Sequence, residues 1–205
     1  MELYLVRHGA VGEAEFLRAN PPLSETGRAQ AAALAARLEP LHFDRCLASP
    51  LARAQETARI LVAGRAGLAL ETHACLAEGN HGALDGLAPE EARRRHPEFY
   101  RLGRTVLPRL AATGWTAPDG ETRPQFLARA QAAQALLREP LFAPNARALV
   151  VSHGGLLAFL IALLLGHEPR DEASYGFENC GVARIKAYSE PPAYGPFAML
   201  HFSTP

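Results

Sequence analysis

A chain of 205 residues suits one domain, with or without an inserted lobe, and would be cramped as two. Lys plus Arg and Asp plus Glu both number 21, so no global field recruits nucleic acid or an anionic membrane, and any anion site must be built locally. Cys46, Cys75 and Cys180 are odd in number and far apart, which suits neither a disulfide framework nor zinc spacing, so free thiols in a reducing compartment are expected.

Lys186 is the only lysine. Arginine offers a fork suited to phosphate, but a GC-rich genome accounts for most of this bias. Arg7 and His8 interrupt the first apolar run too early for a signal peptide, and the apolar stretch 156–165 is about half a bilayer span. A cytoplasmic protein with no membrane partner is expected.

Leu3, Tyr4, Leu5 and Val6 are consecutive apolar residues, the pattern of a strand buried on both faces of a parallel sheet. Such a strand delivers Arg7-His8-Gly9 to the carboxyl edge, where ligands bind in open α/β sheets. Alone, the tripeptide is equally compatible with a surface loop. Asn20-Pro21-Pro22 reads as loop, Ser24 as an N-cap, and Ala31, Leu34, Leu38 and Leu41 recur at helical spacing, predicting an amphipathic helix over 25–39 that Pro40 ends.

A second strand is expected over 43–48. Ser49-Pro50 then reads as N-cap and first helical residue of a helix over 50–62, with Arg53 in its first turn and Thr57 on the same face. Leu68, Leu70 and Thr72 alternate as a third strand leading toward Glu78-Gly79. A lone helix arginine or a loop glutamate beside glycine is ordinarily solvated.

From about residue 79 to 144, glycines and prolines interrupt helical stretches with no clear strand, as expected of an inserted helical cap. Pro89 starts one helix, whose Arg93, Arg94 and Arg95 read as a solvated face, although they could reach an acidic substrate. Thr122, Phe126, Ala130, Ala133 and Leu137 mark a longer one, which Pro140 ends. Residues 147–152, RALVVS, form another apolar strand running into His153-Gly154-Gly155 and a helix over 156–165 that is apolar nearly all round, with Gly166 as its C-terminal cap. Residues 182–188 and 197–202 read as edge or closing strands.

Arg7-His8-Gly9, Ser49-Pro50 with Arg53, and Ser152-His153-Gly154 thus share one theme: strand ends carrying imidazole, guanidinium and helix N-termini that favour an anion. A neutral imidazole can attack phosphorus when its other nitrogen is held as a donor, and two guanidiniums offset charge on the transferring oxygens, with no metal required. Glu78 is the best-placed carboxylic acid to protonate a leaving alkoxide.

The motifs LVRHG at 5–9, PLSETGRAQA at 22–31, ASPLARAQETA at 48–58, LAEGNHGALDG at 76–86, DGET at 119–122 and VVSHGG at 150–155 resemble, in order and spacing, those of the histidine phosphatase superfamily, the phosphoglycerate-mutase-like proteins. The resemblance implies a three-layer α/β fold, a mostly parallel mixed sheet with helices on both faces and an inserted cap over the site, residues 1–205 forming a single domain with 79–144 as the cap. It implies His8 as the nucleophile that becomes phosphohistidine, Arg7, Arg53 and His153 as phosphate-gripping residues with the Gly154 amide as a further contact, Glu78 as proton donor, and Ser49 positioning the loop before Arg53. It implies no cofactor.

Two departures bear on the substrate. Ala10-Val11-Gly12-Glu13-Ala14 stands where many members have Glu followed by Thr or Ser and then a Trp-Asn pair, and Asn20 lies too far along to take that Asn's place. Leu84-Asp85-Gly86 replaces an aromatic-Glu-Gly. The expected function is a metal-independent phosphomonoesterase acting on a small phosphorylated substrate, with a mutase as runner-up, since a mutase usually needs a larger basic cap. A serine hydrolase is disfavoured because Val150 stands where a nucleophile elbow needs glycine. A noncatalytic phospho-ligand module is disfavoured because the full catalytic set is present. The leaving group and the oligomeric state, a homodimer included, stay open. An optimum at about pH 5 to 7 is expected if His8 is neutral and Glu78 acts as an acid.

Overall fold

A computed structural model describes residues 1–12, 20–87, 89–97, 118–138, 145–169, 175–188 and 197–203. The apolar runs become strands: β1 (Glu2–Arg7), β2 (Arg45–Ala48), β3 (Leu70–Thr72), β4 (Arg147–Ser152), β5 (Val182–Ala187) and β6 (Phe197–Ser203). They form one sheet in the order β3-β2-β4-β1-β5-β6. The pairs β3-β2, β2-β4 and β4-β1 are parallel, and β5 runs antiparallel to both β1 and β6. This is the expected mixed, mostly parallel α/β sheet.

Alternation along β1 sorts the core into two layers. Leu3 and Leu5, with Leu47, Ala148 and Val150, face α4 (Arg123–Arg138) and α5 (Gly154–Leu164), whose Phe126, Ala133, Leu156 and Phe159 join the same cluster. Tyr4 and Val6, with Cys46, Leu149 and Val151, face α1 (Glu25–Leu38) and α2 (Ala52–Val62) through Leu34, Ala54 and Leu61. Both faces are therefore dry, which is why β1 and β4 read as continuous apolar runs rather than alternating ones. Among the described residues no helix is long and apolar enough to cross a membrane. All three cysteines are free thiols.

The helix ends follow from local chemistry. Ser24 Oγ accepts the Gly27 N–H at 3.0 Å and donates to Ala10 O at 3.1 Å, so the cap of α1 also ties down the chain after β1. Thr122 and Gln125 form a reciprocal capping box ahead of α4: the Thr122 N–H donates to Gln125 Oε1 at 2.8 Å and the Gln125 N–H to Thr122 Oγ1 at 3.4 Å. Gly166, with φ of +77°, ends α5 in a Schellman turn, its N–H reaching Leu163 O at 3.2 Å while that of His167 reaches Ala162 O at 2.8 Å.

Some expectations needed correction. The second strand begins at Arg45, because Phe43 leaves the ladder to meet Tyr4 edge-on at 5.1 Å. Pro50 is not helical: Ser49 Oγ accepts the Leu51 N–H at 3.2 Å as a local turn, and α2 starts at Ala52, whose N–H donates to Asn20 Oδ1 at 2.5 Å. Within the segment 79–144, α3 (Pro89–Arg95) carries Arg94 and Arg95 paired with Glu91, and α4 is a helix of the main core. Gly103, Gly114 and Pro140 lie outside the described residues.

One close approach fixes the loop after β1. A Cβ on Gly27 would lie 2.0 Å from Ala10 O, and one on Gly9 would lie 2.5 Å from Gly27 O. Gly27 is helical, so propensity alone favours alanine there by about 1 kcal/mol. The backbone contact forbids it, and Gly27→Ala is expected to destabilise the fold by about 1–3 kcal/mol. Thermal denaturation checks this: a raised melting temperature would mean that the Gly9-Gly27 contact does not hold the loop.

Candidate active site

Parallel register makes the site. Arg7 pairs with Ser152, Val151 with Ala48, and Ala48 with Thr72, so the residues that follow these strands emerge level at one edge. His8 follows β1, Ser49 follows β2 and His153 follows β4. The His8 and His153 rings stand with centroids 5.0 Å apart, and Arg53 Nε donates to His8 Nε2 at 3.2 Å.

His8 is 7% exposed and its backbone is fixed from both sides. Its N–H donates to Ser152 O at 2.9 Å, and its carbonyl accepts from Asn179 Nδ2 at 3.1 Å and from the Cys180 N–H at 3.3 Å. Nδ1 lies 2.7 Å from Gly9 O, an acceptor only, so Nδ1 carries the hydrogen and Nε2 is left with the lone pair that receives Arg53. Burial, and then the Arg53 charge, push the His8 imidazole down to about 3, opposed by the hydrogen bond to the Gly9 carbonyl and helped to a smaller extent by the Arg7 charge. The ring is therefore neutral at neutral pH.

His153 is wholly buried, and burial followed by the charges around it holds its imidazole well below the ordinary histidine range. Its Nε2 lies 2.7 Å from Ser49 Oγ. Ser49 Oγ also accepts the Leu51 N–H at 3.2 Å, and when its hydroxyl hydrogen is donated to Nε2 the hydrogen of His153 lies on Nδ1. That buried Nδ1 has no hydrogen-bond partner among the described residues. A buried donor without a partner next to His8 and Arg53 suits an anion.

Arg7 Nη1 donates to Phe177 O, and a Cβ on Gly154 would lie 3.7 Å from Arg7 Nε, so the guanidinium rests against the first turn of α5. Burial lowers the proton affinity of Arg53, opposed by the charges of Glu78 and Asp85, which lie near enough to hold it cationic. Thr57 Oγ1 donates to Arg53 O at 2.7 Å and accepts the Gly9 N–H at 3.1 Å, so the face it shares with Arg53 docks α2 onto the loop of His8.

Glu78 lies beyond a short 3-10 turn (Ala74–Leu76) after β3. Oε2 accepts the Gly155 N–H at 3.1 Å and Oε1 the Gly79 N–H at 3.0 Å, which sets the carboxylate at the positive end of α5. Gly154 opens α5, so its N–H belongs to that helix's unbonded first turn. Ser152 is buried with its hydroxyl donated to Leu76 O at 2.7 Å, an arrangement of a structural serine rather than a nucleophile.

The structure thus gathers Arg7, His8, Arg53 and His153 into one cluster, with Glu78 at the adjoining helix end. Residues with no role at the site assigned from sequence are Asp85, Gln30, which accepts the Ala10 N–H at 2.9 Å, and Asn179. Thr57 was legible as sharing a face with Arg53. Asn179 left no signal, because it reaches His8 from the far end of the chain. Among the described residues no cluster of His, Cys, Asp or Glu could hold a metal ion.

Known proteins carry the same frame. The model of the histidine phosphatase superfamily (branch 1) matches residues 3–194. A probable phosphoglycerate mutase GpmB of Yersinia pestis (strain Pestoides F) is 31% identical over 202 residues, covering 94% of this chain and 87% of that protein. Among solved structures, a putative alpha-ribazole-5'-P phosphatase of Escherichia coli K-12 superposes with a TM-score of 0.83 at 25% identity, covering 100% of this chain and 96% of that one. A mycobacterial glucosyl-3-phosphoglycerate phosphatase, solved with VO3, does so at 0.76 and 26% identity, covering 100% and 99%. The chain is an enzyme of the histidine phosphatase superfamily.

Proposed function

We propose that this phosphatase hydrolyses a small phosphomonoester through a phosphohistidine on His8. The His8 Nε2 lone pair forms a bond to phosphorus as the bond to the ester oxygen breaks. Arg7, Arg53 and His153 Nδ1–H, with the Gly154 amide, take the three phosphoryl oxygens. The departing alkoxide receives the carboxyl proton of Glu78, and in the second half-reaction water loses a proton to Glu78 as it displaces His8 and forms inorganic phosphate.

The observation that carries this reading is the tautomer of His8. Gly9 O takes the Nδ1 hydrogen and burial keeps the ring neutral, so Nε2 faces the basic cluster as a base with an in-plane lone pair. The two phosphatase neighbours, which cover nearly the whole chain, support hydrolysis as the outcome. In this reading the domain is single, with 79–144 as the insertion that selects the leaving group, α4 excepted because its apolar face lies in the main core.

A mutase is the second reading, favoured by the relative named as a probable phosphoglycerate mutase. Inorganic phosphate release measured beside interconversion of phosphoglycerate isomers separates the two, and isomerisation without release would overturn the phosphatase reading. His8→Ala is expected to reduce phosphate release by about 10³-fold or more and to abolish the acid-labile phosphoenzyme trapped during turnover. Turnover that persists in that variant would exclude a phosphohistidine on His8.

The same neutral histidines set a pH signature of stability. Below the ordinary value of 6.5 the unfolded chain protonates His8 and His153, while the folded chain holds His8 neutral down to about 3. Unfolding then takes up protons, so stability is complete above that ordinary value and declines as pH falls toward the folded one. The slope is about 1.4 kcal/mol per pH unit for each histidine kept neutral. Thermal unfolding at pH 7 and at about pH 4.5 measures it, and His8→Asn is expected to make the dependence shallower; an unchanged slope would contradict a neutral, buried His8.

A further inference from the structure

The motif at 119–122 matches the family yet touches none of the phosphate-facing residues. Its Glu121 forms a two-pronged ion pair with Arg129 of α4: Arg129 Nε reaches Glu121 Oε1 at 2.9 Å and Nη2 reaches Oε2 at 2.6 Å. The pair is mostly buried, with the side chains 19% and 15% exposed, and the guanidinium lies over the Phe126 ring at 4.9 Å. Burying two charges this far is costly unless their remaining hydrogen-bonding groups are used. They are used on one object, the loop that carries Glu78.

Arg129 Nη1, the prong not taken by Glu121, donates to Ala77 O and, at 3.5 Å, to Cys75 O. On the other side of Glu78, the Glu121 N–H donates to Asn80 O at 2.8 Å and the Asn80 N–H approaches Glu121 Oε2 at 3.4 Å. Gly79 sits between these ties on the Phe126 ring, where an added Cβ would lie 3.6 Å from Cε2. Ser152 Oγ holds Leu76 O. The backbone is therefore gripped immediately before and after Glu78, and the side chain itself is left to the N–H groups of Gly79 and Gly155.

We propose that the Glu121-Arg129 pair is a positioning device for the proton donor, acting on Glu78 through the carbonyl of Ala77 and the backbone of Asn80. The inference rests on the reading of Glu78 as the acid. Arg129 is two-pronged toward Glu121 and still has a donor for Ala77 O, a set that lysine cannot reproduce with one ammonium. Neither residue is a catalytic residue: their hydrogen bonds go to each other and to the loop of Glu78, and only the charge of Arg129 is felt in the phosphate-facing cluster, at His153.

A positioning role and a merely structural one differ in which substrates suffer. An alkyl phosphate needs a proton on its leaving oxygen, whereas p-nitrophenyl phosphate expels a stable phenolate without one. Because kcat/KM covers only the steps up to phosphohistidine formation, it isolates this difference from the later attack of water. For Glu121→Gln and Arg129→Lys, both close in size to the native residue, kcat/KM for an alkyl phosphate is expected to fall at least tenfold more than for p-nitrophenyl phosphate. Glu78→Gln should show the same preference more strongly, and competitive inhibition by inorganic phosphate should stay within about threefold of wild type in all three.

Equal losses on both esters, or no loss on either, would overturn the positioning role. A substrate preference in Glu78→Gln that is absent from both Glu121→Gln and Arg129→Lys would overturn it while leaving Glu78 as the acid. No preference even in Glu78→Gln would remove the acid and the clamp together.

Discussion

The pairing of β1 with β4, Arg7 opposite Ser152, is the constraint on which the site depends. Both strands are buried on both faces, so their register is fixed by the two core layers, and a one-residue slip would exchange the layers. The same register makes His8 and His153 neighbours although 144 residues separate them in the chain. Ring contact at 5.0 Å is therefore a product of sheet pairing rather than of any local loop preference. α2 adds Arg53 from a third strand end because β2 pairs with β4 on the other side.

That geometry concentrates positive charge and removes water at once. Two guanidiniums and two imidazoles lie at one edge, and the molecule tolerates them by keeping both imidazoles neutral and by setting Glu78 and Asp85 near Arg53. Each imidazole has one nitrogen committed to the scaffold: His8 Nδ1 to Gly9 O, which fixes its tautomer, and His153 Nε2 to Ser49 Oγ, which leaves its Nδ1 unbonded among the described residues. In the proposed mechanism the other two nitrogens act on the substrate, one as a lone pair and the other as a donor. A single scaffold would thus hold a nucleophile and an anion-binding group from the same residue type.

The strands that lie between two packed layers were legible in the sequence because burial on both faces leaves an unbroken apolar run. β4 begins and ends as expected at Arg147 and Ser152. What misled was local grammar with a distant competitor. Ser49-Pro50 reads as a helix start, yet the Ser49 hydroxyl also meets His153, so the dipeptide forms a turn and the helix begins later. Phe43 reads as a strand residue, yet it packs on Tyr4 and beneath the Arg65 guanidinium. His8 and His153 were legible because each directly follows a strand, and Arg53 and Glu78 because each lies a few residues beyond one. Their supports, Asn179 and the Glu121-Arg129 pair, were not, because their contacts come from sheet closure and from α4 joining the core.

The resting site also constrains how a reaction can begin. Arg53 Nε occupies the Nε2 lone pair of His8, so in the proposed mechanism the cation that would take the phosphate masks the nucleophile. A phosphate arriving between them offers the guanidinium charged acceptors in place of a neutral nitrogen, and charge-assisted hydrogen bonds are roughly twice as strong as neutral ones. The exchange is downhill for Arg53 and leaves Nε2 facing phosphorus at the moment phosphorus is present. In the proposed mechanism the His8-Arg53 hydrogen bond is therefore the first contact that an incoming phosphate exchanges.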